Sequence, residues 1–441
     1  MQELPVVSLG DIMSIYTNYL SGVRPDGGHH DEKISAHVAI VGSGPTGCFA
    51  ALAMLKCVPE VRITVFEARP TPYGLLRYGV APDHQGMKNV TRQFERLFGS
   101  NQVEFVGNVR IGQDLPFEVL QENFDFVVIA TGLPSERALP VPVHPGAKVW
   151  GASQLLRYLN ADPDSDLRTR ETVELGDSVL IIGSGNVAMD VARLLAKSDE
   201  GFDGSDVDDA AREALAPSKI TRITLLSRSP YEQVRWDPSM FKELCSIPGV
   251  EVYLDGRRST EETDTSSGPT RHQPLRVEVF FNQKLREIDL QEDNAYDNQL
   301  IVRTQNGTSD AHLSAESPKT SFRASAVIAA IGFEERRIGF GEVPADNVLR
   351  TGGCATGRLG NLAENRALAK QTAQLVAAKV GKQSELTGLA GVAPFLTQTP
   401  VSFSDWKAID EAEITRARPG RIRQKFTSWS EMSDVVAQTR S

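Results

Sequence analysis

The chain has 441 residues, of which 40% are hydrophobic and 24% are charged, and its formal net charge is −10. This length accommodates two or three domains, and the composition is that of a globular protein rather than a disordered or fibrous one. The negative charge argues against general affinity for nucleic acid or anionic membranes. No run of eighteen apolar residues occurs, so no membrane-spanning helix is predicted.

An N-terminal extension, residues 1–36, precedes the ordered α/β pattern. It lacks the basic and apolar regions of a secretory signal, its acidic residues suit a mitochondrial transit peptide poorly, and a short helix is predicted around 11–20. We therefore expect a cytoplasmic protein, with a mitochondrial location left open. No C-x-x-C pair occurs, which argues against a dithiol redox site, a zinc ribbon or an iron–sulfur cluster within the chain. The scattered cysteines fit a reducing compartment: Cys48, Cys57, Cys245 and Cys354.

A glycine-rich turn between two strands is the first ordered signal. A short run of strand-forming residues, 37–41, ends in a G-x-G-x-x-G motif at 42–47, and an apolar helix pattern follows over 48–56. A second buried strand, 61–66, then ends at Glu67. Strand, glycine turn, helix, strand and acid in this order are typical of a dinucleotide-binding unit.

The same order of elements recurs in the middle of the chain, which indicates an internal duplication. A strand at 177–182 leads into G-x-G-x-x-A at 183–188, then a helix over 189–197, and then a strand at 222–226 that ends at Ser227-Arg228. Two further buried strands each stop just before a glycine, and we interpret them as the closing strands of the two units: 126–130, before Thr131-Gly132, and 326–330, before Ile331-Gly332.

The remaining segments are predicted from composition and periodicity. Polar loops are expected at 255–273, 292–298 and 306–318. An alanine-rich helix is expected over 365–380, and a short helix around 406–416 leads into an Arg/Lys-rich coil.

Glycine turns of this kind suit phosphate binding, because side chains there would collide with a pyrophosphate. The following helix also points unpaired N–H groups at the phosphates. Gly42, Gly44 and Gly47 fill these roles in the first unit, and Glu67 is expected to accept hydrogen bonds from a ribose. In the second unit, the strand at 222–226 is followed by Arg228, which has Ser227 and Ser229 as its neighbours. This favours NADPH over NADH, which stays an alternative if Arg228 is merely solvated.

Three longer stretches carry a family resemblance. The most specific is Pro72-Tyr-Gly-Leu-Leu-Arg-Tyr-Gly-Val-Ala-Pro-Asp-His84 with Lys88-Asn-Val90; the others are Gly185-Asn-Val-Ala-Met-Asp-Val-Ala-Arg193 and the tail from Trp406 to Lys425. Over residues 37 to 435 the chain resembles the adrenodoxin reductase-like ferredoxin–NADP⁺ reductases, within the glutathione reductase-like flavoproteins. The resemblance implies an α/β fold with two Rossmann-like domains. An NAD(P)-binding domain, 135–335, would be inserted into a discontinuous FAD-binding domain, 37–134 plus 336–441.

The resemblance also implies a set of site residues. His84 and Glu243 would lie near the meeting point of flavin and nicotinamide; the alternatives are a helix-capping surface histidine and an ordinary helical glutamate. NADP(H) would be held by Gly183, Gly185, Asn186, Val187, Ser227 and Arg228. FAD would be held by Gly42, Gly44, Pro45, Thr46, Gly47, Glu67, Gly74, Leu75, Val109, Thr131, Gly132, Gly352, Gly353, Gly360, Asn361 and Leu362.

Two departures from the family pattern stand out. In the flavin-contacting motif G-W-x-x-[RT]-G-P-x-G-x-I, the tryptophan is Gly353 and the proline is Arg358. The lost indole leaves either room for a different substrate or a gap refilled by Trp236 or Trp150. The usual Arg-Arg pair of the NADP cleft is Ser227-Arg228, and an insertion at 231–238 either shapes partner or substrate choice there or is a surface loop.

Three functions compete. The first is a reductase that passes electrons from NADPH through FAD to a ferredoxin-like iron–sulfur protein. The second is a stand-alone flavoenzyme that acts on an organic molecule in a pocket opened at Gly353, and the third is a non-enzymatic nucleotide-binding protein. An acidic iron–sulfur partner needs a basic docking face, for which the candidates are Arg235, Arg257, Arg258, Arg271 and the tail arginines within 416–423.

Overall fold

The structure is a computed structural model that describes residues 34–133, 135–259, 274–292, 298–307, 319–334 and 346–441. The helix expected around 11–20 and the candidate docking residue Arg271 lie outside these residues, as does most of the polar loop expected at 255–273. Within the described parts, no helix is long and apolar enough to cross a membrane.

Four sheets contain all the named strands. The strands are β1 (Ala36–Val41), β2 (Val61–Phe66), β3 (Val103–Val106), β4 (Phe126–Ile129), β5 (Ser135–Glu136), β6 (Val149–Gly151), β7 (Ser178–Ile182), β8 (Arg222–Leu226), β9 (Val250–Leu254), β10 (Arg257–Arg258), β11 (Leu275–Phe280), β12 (Gln283–Glu292), β13 (Asn298–Asn306), β14 (Lys319–Ala324), β15 (Ala326–Ala329), β16 (Phe333–Glu334) and β17 (Val348–Arg350).

Helices cover the faces of the two larger sheets and form the C-terminal region. They span Pro45–Cys57, Leu75–Tyr78, Gln85–Lys88, Thr91–Phe98, Phe117–Asn123, Ala152–Leu159, Asn186–Ala196, Asp209–Leu215, Pro238–Cys245, Gly353–Thr356, Leu362–Lys379, Leu389–Val392, Phe403–Thr415 and Trp429–Arg440.

The two larger sheets repeat one topology. The first has the order β17-β4-β1-β2-β3, and the second has the order β10-β9-β11-β8-β7-β15-β6. The parallel run β4-β1-β2-β3 therefore corresponds to β15-β7-β8-β11, with one more parallel strand beyond each closing strand. The duplication and the two closing strands are confirmed, with strand ends within one residue of the predicted bounds.

Burial explains why the central strands are parallel and apolar. Nearly every residue of β1 is buried, and β4 is buried throughout. Strands covered on both faces read as continuous hydrophobic runs, because helices pack on either side of the sheet. One of these helices, Pro45–Cys57, packs against Leu362–Lys379, so the C-terminal part of the chain returns to the N-terminal sheet.

The chain passes from the first sheet to the second and later returns, and the two connecting segments form a small antiparallel ladder. β5 lies on the outward connection and β16 on the return; they form an antiparallel ladder, Phe333 opposite Glu136 and Glu334 opposite Ser135. This ladder lies at the domain boundaries expected after residues 134 and 335.

Two details of the predicted secondary structure are wrong. The Arg/Lys-rich tail does not end as coil, because the helix Trp429–Arg440 follows it and packs on Phe403–Thr415. The loop expected from residue 255 contains the short strand β10, which pairs with β9.

Candidate functional site

The first glycine turn is closed where packing demands it and open where a ligand could approach. Gly42 has φ +106°, and a Cβ there would lie 2.7 Å from the Ala130 carbonyl oxygen. A Cβ on Gly47 would collide with the Gly42 carbonyl. Gly44 has nothing within 4 Å of its Cβ position, directly before the helix that begins at Pro45. The turn thus presents bare backbone to open space, as phosphate binding requires.

The carboxylate of Glu67, which follows the neighbouring strand, is hydrogen-bonded to this turn. Its Oε2 accepts hydrogen bonds from the Ser43 N–H at 3.0 Å and the Ser43 hydroxyl at 2.6 Å, and its Oε1 accepts one from the Arg69 N–H at 3.2 Å. The Val109 N–H donates to the main-chain carbonyl of Glu67 at 2.9 Å, which fixes the Val109 backbone next to that of Glu67. Sequence reasoning missed Ser43, whose signal is its place between the two glycines of the turn.

Two further segments lie against the same turn. Gly74 has φ +48°, and its Cβ position is 3.2 Å from Gly44 Cα; the next residue, Leu75, is 39% exposed. Gly352 has φ +67°, and a Cβ there would lie 2.6 Å from Thr46 Oγ1. The turn, the segment at 74–75 and the returning segment at 352 are therefore in contact, as an FAD cradle needs.

Two buried hydroxyls at this junction lack partners among the described residues. Thr131 follows the closing strand, and Thr351 precedes Gly352; the Oγ1 atoms of both threonines are buried without a hydrogen bond. Gly132, with φ +70°, has open space at its Cβ position. Because an unpaired buried hydroxyl is unfavourable, these atoms fit a polar ligand at this point and the residues present fit FAD.

The helix Leu362–Lys379 begins beside this junction. Asn361 caps it, with its side-chain oxygen accepting the Glu364 N–H at 2.9 Å. A Cβ on Gly360 would lie 2.6 Å from Glu364 Oε2, so a glycine keeps this entry compact.

The position of the missing tryptophan is partly filled. A Cβ on Gly353 would lie 3.2 Å from Leu133 Cγ, and Leu133 is buried. The two tryptophans proposed to refill this gap pack elsewhere: Trp150 lies in β6 within the core of the second sheet, and Trp236 stacks on Phe241 at 5.2 Å. Neither of these two tryptophans therefore refills the position, and Leu133, from the turn after the closing strand, lies next to it.

The second glycine turn repeats the first in detail. Gly183 has φ +123°, and a Cβ there would collide with the Ala330 carbonyl, the counterpart of Ala130. Gly185 has open space at its Cβ position, and the helix begins at Asn186, whose Oδ1 accepts the Asp237 N–H at 2.7 Å. Val187 packs on the core of this unit.

The strand end of this unit differs from the first. Ser227 is fully buried, and its hydroxyl accepts a hydrogen bond from Ser184 Oγ and donates one to the Ser229 carbonyl, both at 2.9 Å. Its hydroxyl is thus committed within the protein. Arg228 is exposed, and no carboxylate in the described part of the chain pairs with it.

His84 and Glu243 lie together, although 159 positions separate them in the sequence. His84 Nε2 is 3.5 Å from Glu243 Oε2, and its Nδ1 is 3.4 Å from Asp190 Oδ1. His84 occupies the N-cap position of Gln85–Lys88, but its side chain makes no capping bond. The structure thus brings the two candidates together.

An ion cluster missed by sequence reasoning supports this pair. Arg193 is fully buried and binds Asp83, Asp190 at 2.8 Å and Glu243 at 3.1 Å. Burial alone would raise the pKa of Glu243, but its hydrogen bond with His84 and the charge of Arg193 lower that pKa to about 2. Asp190 and Arg193 form an i,i+3 pair on one helix, and this spacing is the signal that could have found them.

The C-terminal tail is tied to the second unit by ion pairs. Arg418 lies 2.6 Å from Asp209, and the buried Arg421 lies 2.8 Å from Asp209 and 2.9 Å from Asp199. Arg423 pairs with acids within the C-terminal region. Carboxylates of the described residues thus pair with these three candidate docking arginines of the tail.

Deeper in the same interface, two lysines meet one carboxylate. Lys88 Nζ and Lys425 Nζ lie 2.7 Å and 2.8 Å from the Asp206 side chain, and both donate to Asn160 Oδ1. Burial lowers the pKa of each lysine, and the two ammonium charges hold the pKa of Asp206 below its usual value despite burial. Lys425 of the tail thereby joins a segment of the first unit, at Lys88, to a segment of the second unit, at Asp206.

Two glycine turns of one design, each at the carboxyl end of a central parallel strand, define a two-dinucleotide-binding α/β flavoprotein. The family model described as pyridine nucleotide-disulphide oxidoreductase matches residues 36–243. Cindoxin reductase of Citrobacter braakii is 34% identical over 438 residues, which cover 92% of this chain and 93% of that protein. The mitochondrial NADPH:adrenodoxin oxidoreductase of Salvelinus fontinalis is 28% identical, covering 91% of each.

A solved structure extends the comparison. Mycobacterium tuberculosis FprA in complex with NADPH matches with a TM-score of 0.76 at 25% identity, covering 91% of this chain and 99% of that one. The chain belongs to the adrenodoxin reductase-like family of ferredoxin–NADP⁺ reductases.

Proposed function

We propose that this protein passes electrons from NADPH through FAD to a ferredoxin-like iron–sulfur protein. The observation that carries the proposal is the pair of glycine turns with open backbone at Gly44 and Gly185, since one chain with two such sites suits one resident and one exchanging dinucleotide. Relatives named NADPH-ferredoxin reductase and NADPH:adrenodoxin oxidoreductase support the partner class. The cytoplasm is the proposed location.

FAD is assigned to the discontinuous domain, 37–134 plus 336–441, and NADPH to the inserted domain, 135–335. When bound, the flavin accepts a hydride from NADPH and releases electrons one at a time. The first turn and Glu67 would hold the flavin dinucleotide, and the segments at 74–75 and 352 would enclose it. The second turn and Arg228 would hold NADPH, with Arg228 favouring the 2′-phosphate.

His84 and Glu243 are proposed to orient the nicotinamide end. Glu243 remains ionised because its pKa is about 2, so it can only accept hydrogen bonds near neutral pH. One carboxylate oxygen of Glu243 lies 3.1 Å from the Arg193 guanidinium, and the other lies 3.5 Å from His84 Nε2. The arrangement fixes a carboxylate and an imidazole side by side, which suits a donor group such as the nicotinamide carboxamide.

Since carboxylates pair with the tail arginines, we look for the docking face for an acidic partner among cations outside the tail. Arg258 pairs with Glu251 at 3.3 Å, so it is partly neutralised. Arg358, which stands where the family has proline, is exposed and follows the buried segment at 352–354. We include Arg358 and the exposed Lys370 as docking candidates, because single-electron transfer requires close approach to the flavin.

Anaerobic stopped-flow spectroscopy tests the proposal. The yellow protein is mixed with NADPH or NADH and flavin absorbance is followed; oxidised ferredoxin is then added and its reduction is scored. Flavin bleaching by NADPH followed by ferredoxin reduction is expected. Absence of bleaching with both nucleotides would refute an oxidoreductase, whereas bleaching without electron transfer to any ferredoxin would favour turnover of a small organic molecule. Bleaching by NADH alone would overturn the nucleotide assignment.

A further inference from the structure

The inserted loop at 231–238 lies against the second glycine turn. Arg235 forms an isolated parallel β-bridge with Gly185, and the Asp237 N–H donates to Asn186 Oδ1 at 2.7 Å. Trp236 is buried, stacks on Phe241 at 5.2 Å and contacts Phe281 at 6.1 Å between ring centroids. The loop backbone is therefore anchored both to the turn and to the core.

The residue before the buried Trp236 is exposed to solvent. Arg235 is exposed, and no carboxylate within the described ranges pairs with its guanidinium. Its backbone adjoins Gly185, the glycine of the turn whose Cβ position faces open space. The backbone of an exposed arginine thus adjoins the bare backbone where phosphate oxygens would approach, within side-chain reach of that place.

The second unit also has one arginine fewer at its strand end than the family pattern. Ser227 replaces the first arginine of the usual pair, and its hydroxyl is committed to Ser184 and Ser229. Arg228 stands at the strand end, where the adenosine ribose of a dinucleotide lies, so it suits the 2′-phosphate. The pyrophosphate lies at the turn instead, beside Arg235.

We propose that Arg235 binds the pyrophosphate of the nicotinamide dinucleotide and supplies the charge that Ser227 does not. This inference rests on the proposed binding of NADPH by the second unit. A guanidinium suits the task because it donates two parallel hydrogen bonds to phosphate oxygens.

Binding to the oxidised holoenzyme, measured by calorimetry without turnover, separates the two arginines. The ligands are NADP⁺, NAD⁺ and 2′-AMP, which carries the 2′-phosphate but no pyrophosphate. We expect Arg235→Gln to weaken NADP⁺ and NAD⁺ by the same factor, about tenfold or more, and to leave 2′-AMP unchanged. The matched variant Arg228→Gln should weaken NADP⁺ and 2′-AMP and spare NAD⁺.

Unchanged NADP⁺ affinity in Arg235→Gln would overturn the inference and make Arg235 a solvated side chain. A loss that includes 2′-AMP and spares NAD⁺ would move Arg235 to the 2′-phosphate, which also overturns it. Failure of the unmodified protein to bind any of the three ligands would contradict the proposed function instead. Flavin content and thermal unfolding of both variants serve as folding checks.

Discussion

Gly185→Ala should abolish tight nucleotide binding while leaving the fold and the flavin in place. Gly185 is extended, with φ −90° and ψ −176°, and nothing lies within 4 Å of its Cβ position. Alanine therefore fits without strain. Alanine is a poorer N-cap than glycine but reduces the entropy of the unfolded chain; the two effects oppose each other, so stability should change by no more than about 1 kcal/mol.

The effect on binding is larger because the added methyl group takes the space of the ligand. A phosphate oxygen held off the turn loses at least one hydrogen bond from a backbone N–H. A hydrogen bond to a charged group contributes about 1.5–3 kcal/mol. Since about 1.4 kcal/mol is tenfold in affinity, the dissociation constant for NADP⁺ should rise about 10- to 150-fold.

Calorimetry with NADP⁺ on the yellow protein measures this change, and visible absorbance measures retained flavin. Gly44→Ala is the reciprocal control, since Gly44 is equally open and extended, with φ −66° and ψ 179°. It should yield a folded but colourless protein. Full NADP⁺ affinity in Gly185→Ala would mean that the second turn does not face the phosphates, and the division of labour between the turns would then be refuted.

Three further outcomes follow from particular contacts. Asp206→Asn leaves the ammonium groups of Lys88 and Lys425 buried without a carboxylate and should lower the free energy of unfolding by about 3–5 kcal/mol in urea titrations. Lys425→Met leaves Lys88 paired with Asp206 and should lower the free energy of unfolding clearly less. Burial would raise the pKa of Asp83, yet hydrogen bonds and charge from Arg193 lower it to about 2; stability from Asp83 is therefore present above about pH 4 and lost as pH falls toward 2, and Asp83→Asn should flatten that decline in acid-unfolding curves. Arg358→Glu should slow ferredoxin reduction several-fold at low salt with unchanged flavin bleaching by NADPH, and equal rates in stopped-flow would remove Arg358 from the docking face.

Local patterns were enough to predict the duplicated units. The strands at 61–66 and 222–226 have their predicted bounds, because buried parallel strands read as unbroken apolar runs. The glycines at 42 and 183 mark positions where only a residue without Cβ fits, so their sequence signal and their structural role coincide. The correspondence between the two closing strands, each in its own sheet, also followed from their shared glycine endings.

Contacts between distant segments could not be predicted in this way. Nothing in the sequence near Arg421 indicates that Asp199 and Asp209 neutralise it, since the pair forms only when the tail returns to the second unit. The same holds for Leu133, which lies beside Gly353 although 220 positions separate the two residues. Such contacts depend on where the chain returns, which periodicity does not encode.

The two turns also explain how one duplicated unit can serve two ligands. In both, the serine between the glycines donates its hydroxyl to the residue that ends the next strand: Ser43 to Glu67 at 2.6 Å, and Ser184 to Ser227 at 2.9 Å. A carboxylate at this point repels a 2′-phosphate, whereas a neutral hydroxyl followed by Arg228 attracts one. Both units thus keep the same glycine-turn geometry, and under the proposed assignment the charge at one equivalent position would favour FAD in the first and NADPH in the second.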